Sequence, residues 1–129
     1  MREDLKHVAK HDECPVDSLL NKISGPWTTY ILWLLRQYAV LRFGELRAHM
    51  PGISPKVLTE RLKRLEADGL VSRDQRATIP PQVFYSLTRR GEELKDILDS
   101  LGVVAQRRAA EDLARLQASV AIAQAPGRT

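Results

Sequence analysis

Residues 43–69 read Phe43-Gly44-Glu45-Leu46-Arg47-Ala48-His49-Met50-Pro51-Gly52-Ile53-Ser54-Pro55-Lys56-Val57-Leu58-Thr59-Glu60-Arg61-Leu62-Lys63-Arg64-Leu65-Glu66-Ala67-Asp68-Gly69. Phe43, Leu46 and Met50 stand at i, i+3 and i+7, the spacing of a short amphipathic helix. Pro51-Gly52 is a turn signal. Ser54 then suits the N-cap and Pro55 the first position of a second helix. That helix is expected to run to Asp68, with Gly69 as the left-handed residue that ends it. Its apolar stripe is Leu58, Leu62 and Leu65. At 100° per residue, Lys56, Glu60, Lys63, Arg64 and Ala67 fall opposite the stripe, and Thr59 and Arg61 flank it.

Downstream, two extended segments are expected at residues 70–74 and 82–87. In the second, Val83, Tyr85 and Leu87 alternate as in a half-buried strand. The connection, residues 75–81, is too long for a two-residue hairpin turn, and Pro80-Pro81 stiffens it. Thr88 can cap a final helix carrying Leu94, Ile97, Leu98, Leu101, Val104, Leu113, Leu116 and Val120. Continuous from residue 89 to about 118, it would span roughly 45 Å. A 129-residue chain cannot bury that length by itself, so part of it is expected to meet another chain; Gly102 is a candidate bend.

Upstream, Pro15 suits the first turn of a helix with Val16, Leu19, Leu20 and Ile23 on one face. Ser24-Gly25-Pro26 breaks it, and Pro26 fits the first position of the next helix. Residues 27–38 are apolar on most sides, as expected of a buried central helix. Residues 1–13 read as a flexible arm, residues 14–118 as one domain and residues 119–129 as a frayed tail.

The charge is uneven. Twenty Lys and Arg against 16 Asp and Glu give a net +4. Residues 1–41 carry five basic and five acidic groups, residues 42–90 ten and five, and residues 91–129 five and six. The excess therefore sits on the middle segment, which points to a polyanionic partner such as nucleic acid. The longest aliphatic-aromatic run, residues 30–35, is far short of the about 20 residues of a membrane span. No apolar stretch follows Met1, so a secretory leader is not expected. A single cysteine excludes an intramolecular disulfide and a multi-cysteine zinc site. A cytoplasmic protein with no membrane partner is the expectation.

The order is helix, helix, short helix, tight turn, basic helix, two-stranded hairpin, long helix. It reads as a mainly α protein with a small β-hairpin, a winged helix-turn-helix. Such an order directs Lys56, Thr59, Glu60, Lys63 and Arg64 toward a major groove, which is wide enough to admit a helix. Ser54 stands at the helix start, where backbone N–H groups attract phosphate. Arg61 has a phosphate or a hairpin residue as alternative partners. Arg73 and Arg76 in the hairpin could reach the adjacent backbone or minor groove. A solvated, function-free helix face is the competing reading of the same charges.

Residues 14 to about 101 resemble the HxlR-type bacterial transcriptional regulators. The resemblance rests on Cys14-Pro15-Val16, Gly25-Pro26-Trp27-Thr28 with Ile31-Leu32 and Leu35, Arg42-Phe43 with Glu45-Leu46, and Pro51-Gly52-Ile53-Ser54 with Leu58. It continues through Arg61-Leu62, Leu65-Glu66, Asp68-Gly69-Leu70-Val71 with Arg73, Pro80-Pro81 with Val83 and Tyr85, and Leu87-Thr88 with Gly91. Pro26 stands where members usually have Lys, Phe84 where they usually have Glu, and Gly102-Val103-Val104 where many have a Trp. The resemblance implies a homodimer on double-stranded DNA, a pseudo-palindromic operator, and dimerisation through the first and last helices.

Cys14 is the candidate sensor. The resemblance implies quinone, aldehyde or oxidant sensing by a cysteine in this position, and a helix start favours the reactive thiolate. The competing reading is a structural cysteine at a dimer seam, with a small-molecule effector bound elsewhere. His7, His11 and Cys14 have a spacing a metal could use, but no second cluster accompanies them, so no metal or cofactor is expected. Trp27, Tyr30, Trp33 and Phe43 could line a ligand cavity or simply fill the core. No phosphate-binding glycine loop, nucleophile elbow or HExxH motif is present, so an enzyme is not expected. A winged-helix protein-interaction module is the remaining rival, disfavoured by the basic face.

Overall fold

The structure, a computed structural model, describes residues 14–124. The expected arm at residues 1–13 and the last five residues lie outside that range. The described residues divide into two units, one ending at Lys95 and one starting at Asp96.

The first unit begins with α1, Pro15–Ile23, which Pro15 starts at its N-terminal position. The turn after it is longer than expected. Pro26 does not open the next helix: Trp27 takes a left-handed conformation (φ 73°), and α2 runs from Thr28 to Tyr38. The Thr28 amide donates to the Gly25 carbonyl (3.3 Å), closing a turn over Pro26 and Trp27. A left-handed residue cannot continue a right-handed helix, so the start moves two residues on. α2 is the centre of the unit: Ile31, Leu32, Leu34 and Leu35 are fully buried.

Ala39 (φ 68°) reverses the chain into a strand that the sequence reading lacks, β1, Val40–Arg42. Three residues are too few to show a period of two. α3, Phe43–Ala48, follows, with the Glu45 carboxylate accepting from the Arg42 amide at 2.8 Å. Gly52 carries the expected turn at φ 93°. α4, Pro55–Ala67, starts on Ser54, whose hydroxyl accepts from the Val57 amide at 3.1 Å. It ends at Gly69 with φ 77°, as expected.

β2, Val71–Arg76, and β3, Gln82–Leu87, form the hairpin. β2 starts one residue later and ends two later than the 70–74 reading. The sheet has three antiparallel strands in the order β1-β3-β2, which corrects the two-stranded expectation. Its register sets Leu41 opposite Tyr85, and Tyr85 opposite Arg73. Leu41 and Tyr85 are buried, as are Leu46, Met50, Ile53 and the α4 stripe.

The final helix is not continuous from residue 89. Thr88 caps a single turn, α5, Arg89–Glu92, through a 3.0 Å bond from the Gly91 amide. The Glu93 and Leu94 amides then reach back three residues, to Arg90 and Gly91, tightening the backbone before α6 begins at Lys95. Leu94, at the break, is buried.

The second unit consists of α6, Lys95–Ala123, from its second residue on; the helix is about 44 Å long for its 29 residues. It passes the boundary expected at residue 118, so residues 119–123 are helical rather than tail. Ile97, Leu101, Val104, Leu113, Leu116, Val120 and Ile122 are exposed along it. No helix among the described residues is long and apolar enough to cross a membrane.

Candidate nucleic-acid interface

α4 is clamped on one side and open on the other. Leu58, Leu62 and Leu65 are all but inaccessible, and Ile53 closes the end of the stripe. Fully burying a leucine side chain stabilises by roughly 1.5–3 kcal/mol, so these three fix the rotation of the helix about its axis. Lys56, Glu60, Lys63 and Arg64 are exposed on the opposite side, and Thr59 is half-buried at its margin. Arg64 approaches Asp68 (Nε to Oδ2, 4.0 Å), one turn toward the C-terminus. Most of the Arg64 side chain remains in solvent.

Ser54 is exposed, and its oxygen is engaged in capping. The cap satisfies one amide of the first turn and leaves the helix start, free of acidic side chains, facing outward. Arg61 departs from the outward set. Its Nε donates to the Pro26 carbonyl at 2.9 Å, tying α4 to the α1–α2 turn. The partner is thus neither a hairpin residue nor solvent, but a carbonyl 35 residues upstream.

Arg73 and Arg76 leave β2 on opposite faces, because residues three apart in a strand differ in parity. Arg73 contacts the Gln75 side chain at 3.3 Å. Arg76 pairs with Asp74 at 3.4 Å and lies over the Phe84 ring, 4.4 Å from its centroid. Phe84 is the residue that the sequence reading missed. It stands opposite Asp74 on β3, so it shares a face with Arg76. That juxtaposition needs the strand register, which a five-residue connection conceals. An aromatic face under a guanidinium restricts its rotamers and contributes about 0.5–1 kcal/mol at an exposed site.

Cys14 is the N-cap residue of α1, with extended backbone and no side-chain capping bond. Its thiol is free and exposed. His7 and His11 lie outside the described residues. Among the described residues, no group of His, Cys, Asp and Glu side chains could hold a metal. Of the four aromatic candidates, Tyr30 stacks on Trp33 at 6.2 Å, and its hydroxyl donates to the His49 carbonyl.

A helix-turn-helix with one apolar and one cationic face, followed by a hairpin, is a nucleic-acid-reading arrangement. The family model of the HxlR-like helix-turn-helix matches residues 22–117. The chain belongs to the HxlR family. It is 39% identical over 101 residues to the HTH-type transcriptional regulator BH0655 of Halalkalibacterium halodurans, covering 78% of this chain and 89% of that one. Among solved structures, the redox regulator HypR in its oxidized form superposes with a TM-score of 0.68 at 35% identity, covering 73% of this chain and 96% of that one. The diamide-treated YodB of Bacillus subtilis gives a TM-score of 0.59 at 29% identity, over 73% and 93% of the two chains. This member of the HxlR family is accordingly a winged-helix, DNA-binding transcriptional regulator and not an enzyme.

Proposed function

We propose that this HxlR-family regulator acts in the cytoplasm as a homodimer on a pseudo-palindromic operator, placing one α4 in the major groove of each half-site. The observation that carries the reading is the two-sided burial of α4, with three leucines sealed and Lys56, Glu60, Lys63 and Arg64 presented. Glu60 has the chemistry to accept from a cytosine amino group, and Lys63 and Arg64 to donate to guanine or phosphate. Ser54 and the start of α4 supply phosphate contacts, and Arg73 and Arg76 extend the footprint along the hairpin. Exposed Val16, Leu19 and Leu20 on α1, and the exposed aliphatic residues of α6, support a second copy as the partner of these helices. The half-sites would lie about one helical turn, 34–36 Å, apart or a multiple of it.

The test is a gel shift with a duplex selected by the protein from a random library, set against a scrambled duplex. Tight binding of the selected sequence that weakens steeply with salt is expected. Equal affinity for both duplexes at every salt concentration refutes the reading. Light scattering of the complex should give two chains per duplex.

Cys14 supports a redox switch within that function. It is the chain's single cysteine and is exposed at a helix start, and among the relatives HypR is a redox regulator and YodB has been crystallised after diamide treatment. Any disulfide it forms with a copy of itself joins two chains: two thiols lose two protons and two electrons, which reduce diamide to its hydrazine. Diamide should release the operator from the wild-type protein and not from Cys14→Ser. Identical release curves for the two proteins reject the switch and favour a reversibly bound effector.

A further inference from the structure

The first unit holds a second cationic feature, beside the outward face of α4 and sharing Arg64 with it. A cleft of about 180 Å³ opens between the last turn of α1, the α1–α2 turn and α4. Asn21, Lys22, Gly25, Thr28, Arg61 and Arg64 line it together with Ser24 and Pro26, and no carboxylate is among the lining residues. The Arg61 bond to the Pro26 carbonyl fixes its floor and leaves the guanidinium charge there. Lys22, exposed in the last turn of α1, stands on one wall. Arg64 stands on the other, with Asp68 touching only its Nε. Thr28 opens α2, a helix start with no acidic residue in its first turn and no side-chain cap. Ser24 is oriented away from ligand donation, since its hydroxyl donates to the Leu20 carbonyl.

We infer that this cleft seats a phosphate of the DNA backbone, held by Lys22 and Arg64 with the Asn21 amide as a neutral donor, on the flank of the groove that α4 enters. The inference rests on the proposed operator binding. Three cations, with Asp68 outside the lining as the one carboxylate shown against them, favour an anion, and the planar fork of Arg64 matches phosphate oxygens. The cleft opens to solvent, so a free phosphate would gain little against its own hydration. A phosphate carried in by a duplex already docked through α4 is presented at high effective concentration and pays no separate association cost. Arg64 belongs to both the cleft and the exposed face of α4, which places the seat beside the reading surface. Such a contact sets register along the duplex and carries no sequence information.

The experiment is fluorescence anisotropy of the full chain with the selected duplex and its scrambled counterpart, across a KCl series. Lys22→Gln and Asn21→Ala are the probes, and Lys22→Arg is the rescue. Lys22→Gln is expected to weaken binding to both duplexes by the same factor and to reduce the salt slope by about 1. Asn21→Ala, which alters no charge, should weaken both duplexes by a few-fold, and Lys22→Arg should restore wild-type affinity. Unchanged affinity and slope in both Lys22→Gln and Asn21→Ala, with wild type binding tightly, overturns the phosphate seat alone. Failure of wild type to prefer the selected duplex overturns the operator reading itself. A third arm titrates inorganic phosphate at constant ionic strength and follows amide chemical shifts. Saturable shifts at Lys22 and Thr28 at millimolar phosphate, lost in Lys22→Gln, would assign the cleft to a free anion and overturn its assignment to DNA.

Discussion

Gly44 and Gly91 offer one substitution with opposite outcomes. A methyl added at Gly91 would stand 2.3 Å from the Leu70 carbonyl oxygen and 3.1 and 3.2 Å from Cδ2 and Cβ of Leu87. Carbon–oxygen contacts of this kind settle at about 3.3–3.6 Å, so the Leu70 backbone would have to retreat by roughly 1 Å. That carbonyl also accepts from the Thr88 amide at 3.0 Å, so the retreat strains the junction of α4, β2 and α5. Overpacking of this degree costs about 1–3 kcal/mol. A methyl at Gly44, inside α3, meets nothing within 4 Å. There the gain is the lost freedom of the unfolded chain, about 0.4–1 kcal/mol. Thermal melts at one fixed protein concentration should therefore separate Gly44→Ala from Gly91→Ala by roughly 5–20 °C, wild type lying between them. At a temperature where all three are folded, Gly91→Ala should also bind the selected duplex more weakly, because Leu70 and Leu87 anchor the hairpin beside α4. A Gly91→Ala protein as stable as Gly44→Ala would refute the packing of this junction.

Ser54→Ala removes the cap of α4 and should cost about 1 kcal/mol in urea denaturation, with Ser54→Asp recovering most of it. Leu62→Ala empties a sealed site and should cost about 2–5 kcal/mol, checked by the urea midpoint at unchanged m-value. Arg61→Ala frees the Pro26 carbonyl and should raise amide hydrogen exchange in residues 24–28 while α4 itself stays protected; unchanged exchange would remove its tethering role.

Much of the unit that carries the site was legible because its signals are local. Ser54, Pro55 and Gly69 bound α4 to within a residue, since caps and left-handed residues depend on near neighbours. The stripe of Leu58, Leu62 and Leu65 fixed which side of α4 faces solvent, since the period of a helix requires nothing else. The two-strand reading failed at β1, where three residues hold no period and only pairing with β3 defines a strand. The start of α2 was misplaced because a proline fits equally well in a turn and at a first helical position, and the left-handed Trp27 chose between them. The long final helix was read across the Glu93–Leu94 break because apolar spacing continues through it.

The sequence by itself determined the segments, the polarity of each face and the concentration of positive charge on residues 42–90, all consequences of composition and spacing along one chain. Tertiary structure decided which charges act together. It turned Arg61 inward onto the Pro26 carbonyl, laid Arg76 over Phe84 and sent Arg73 to the other face of the hairpin. It also brought Lys22 across a cleft from Arg64, residues 42 positions apart in sequence. Direction and proximity of this kind depend on strand register and on how a turn seats against a helix. No local pattern encodes them.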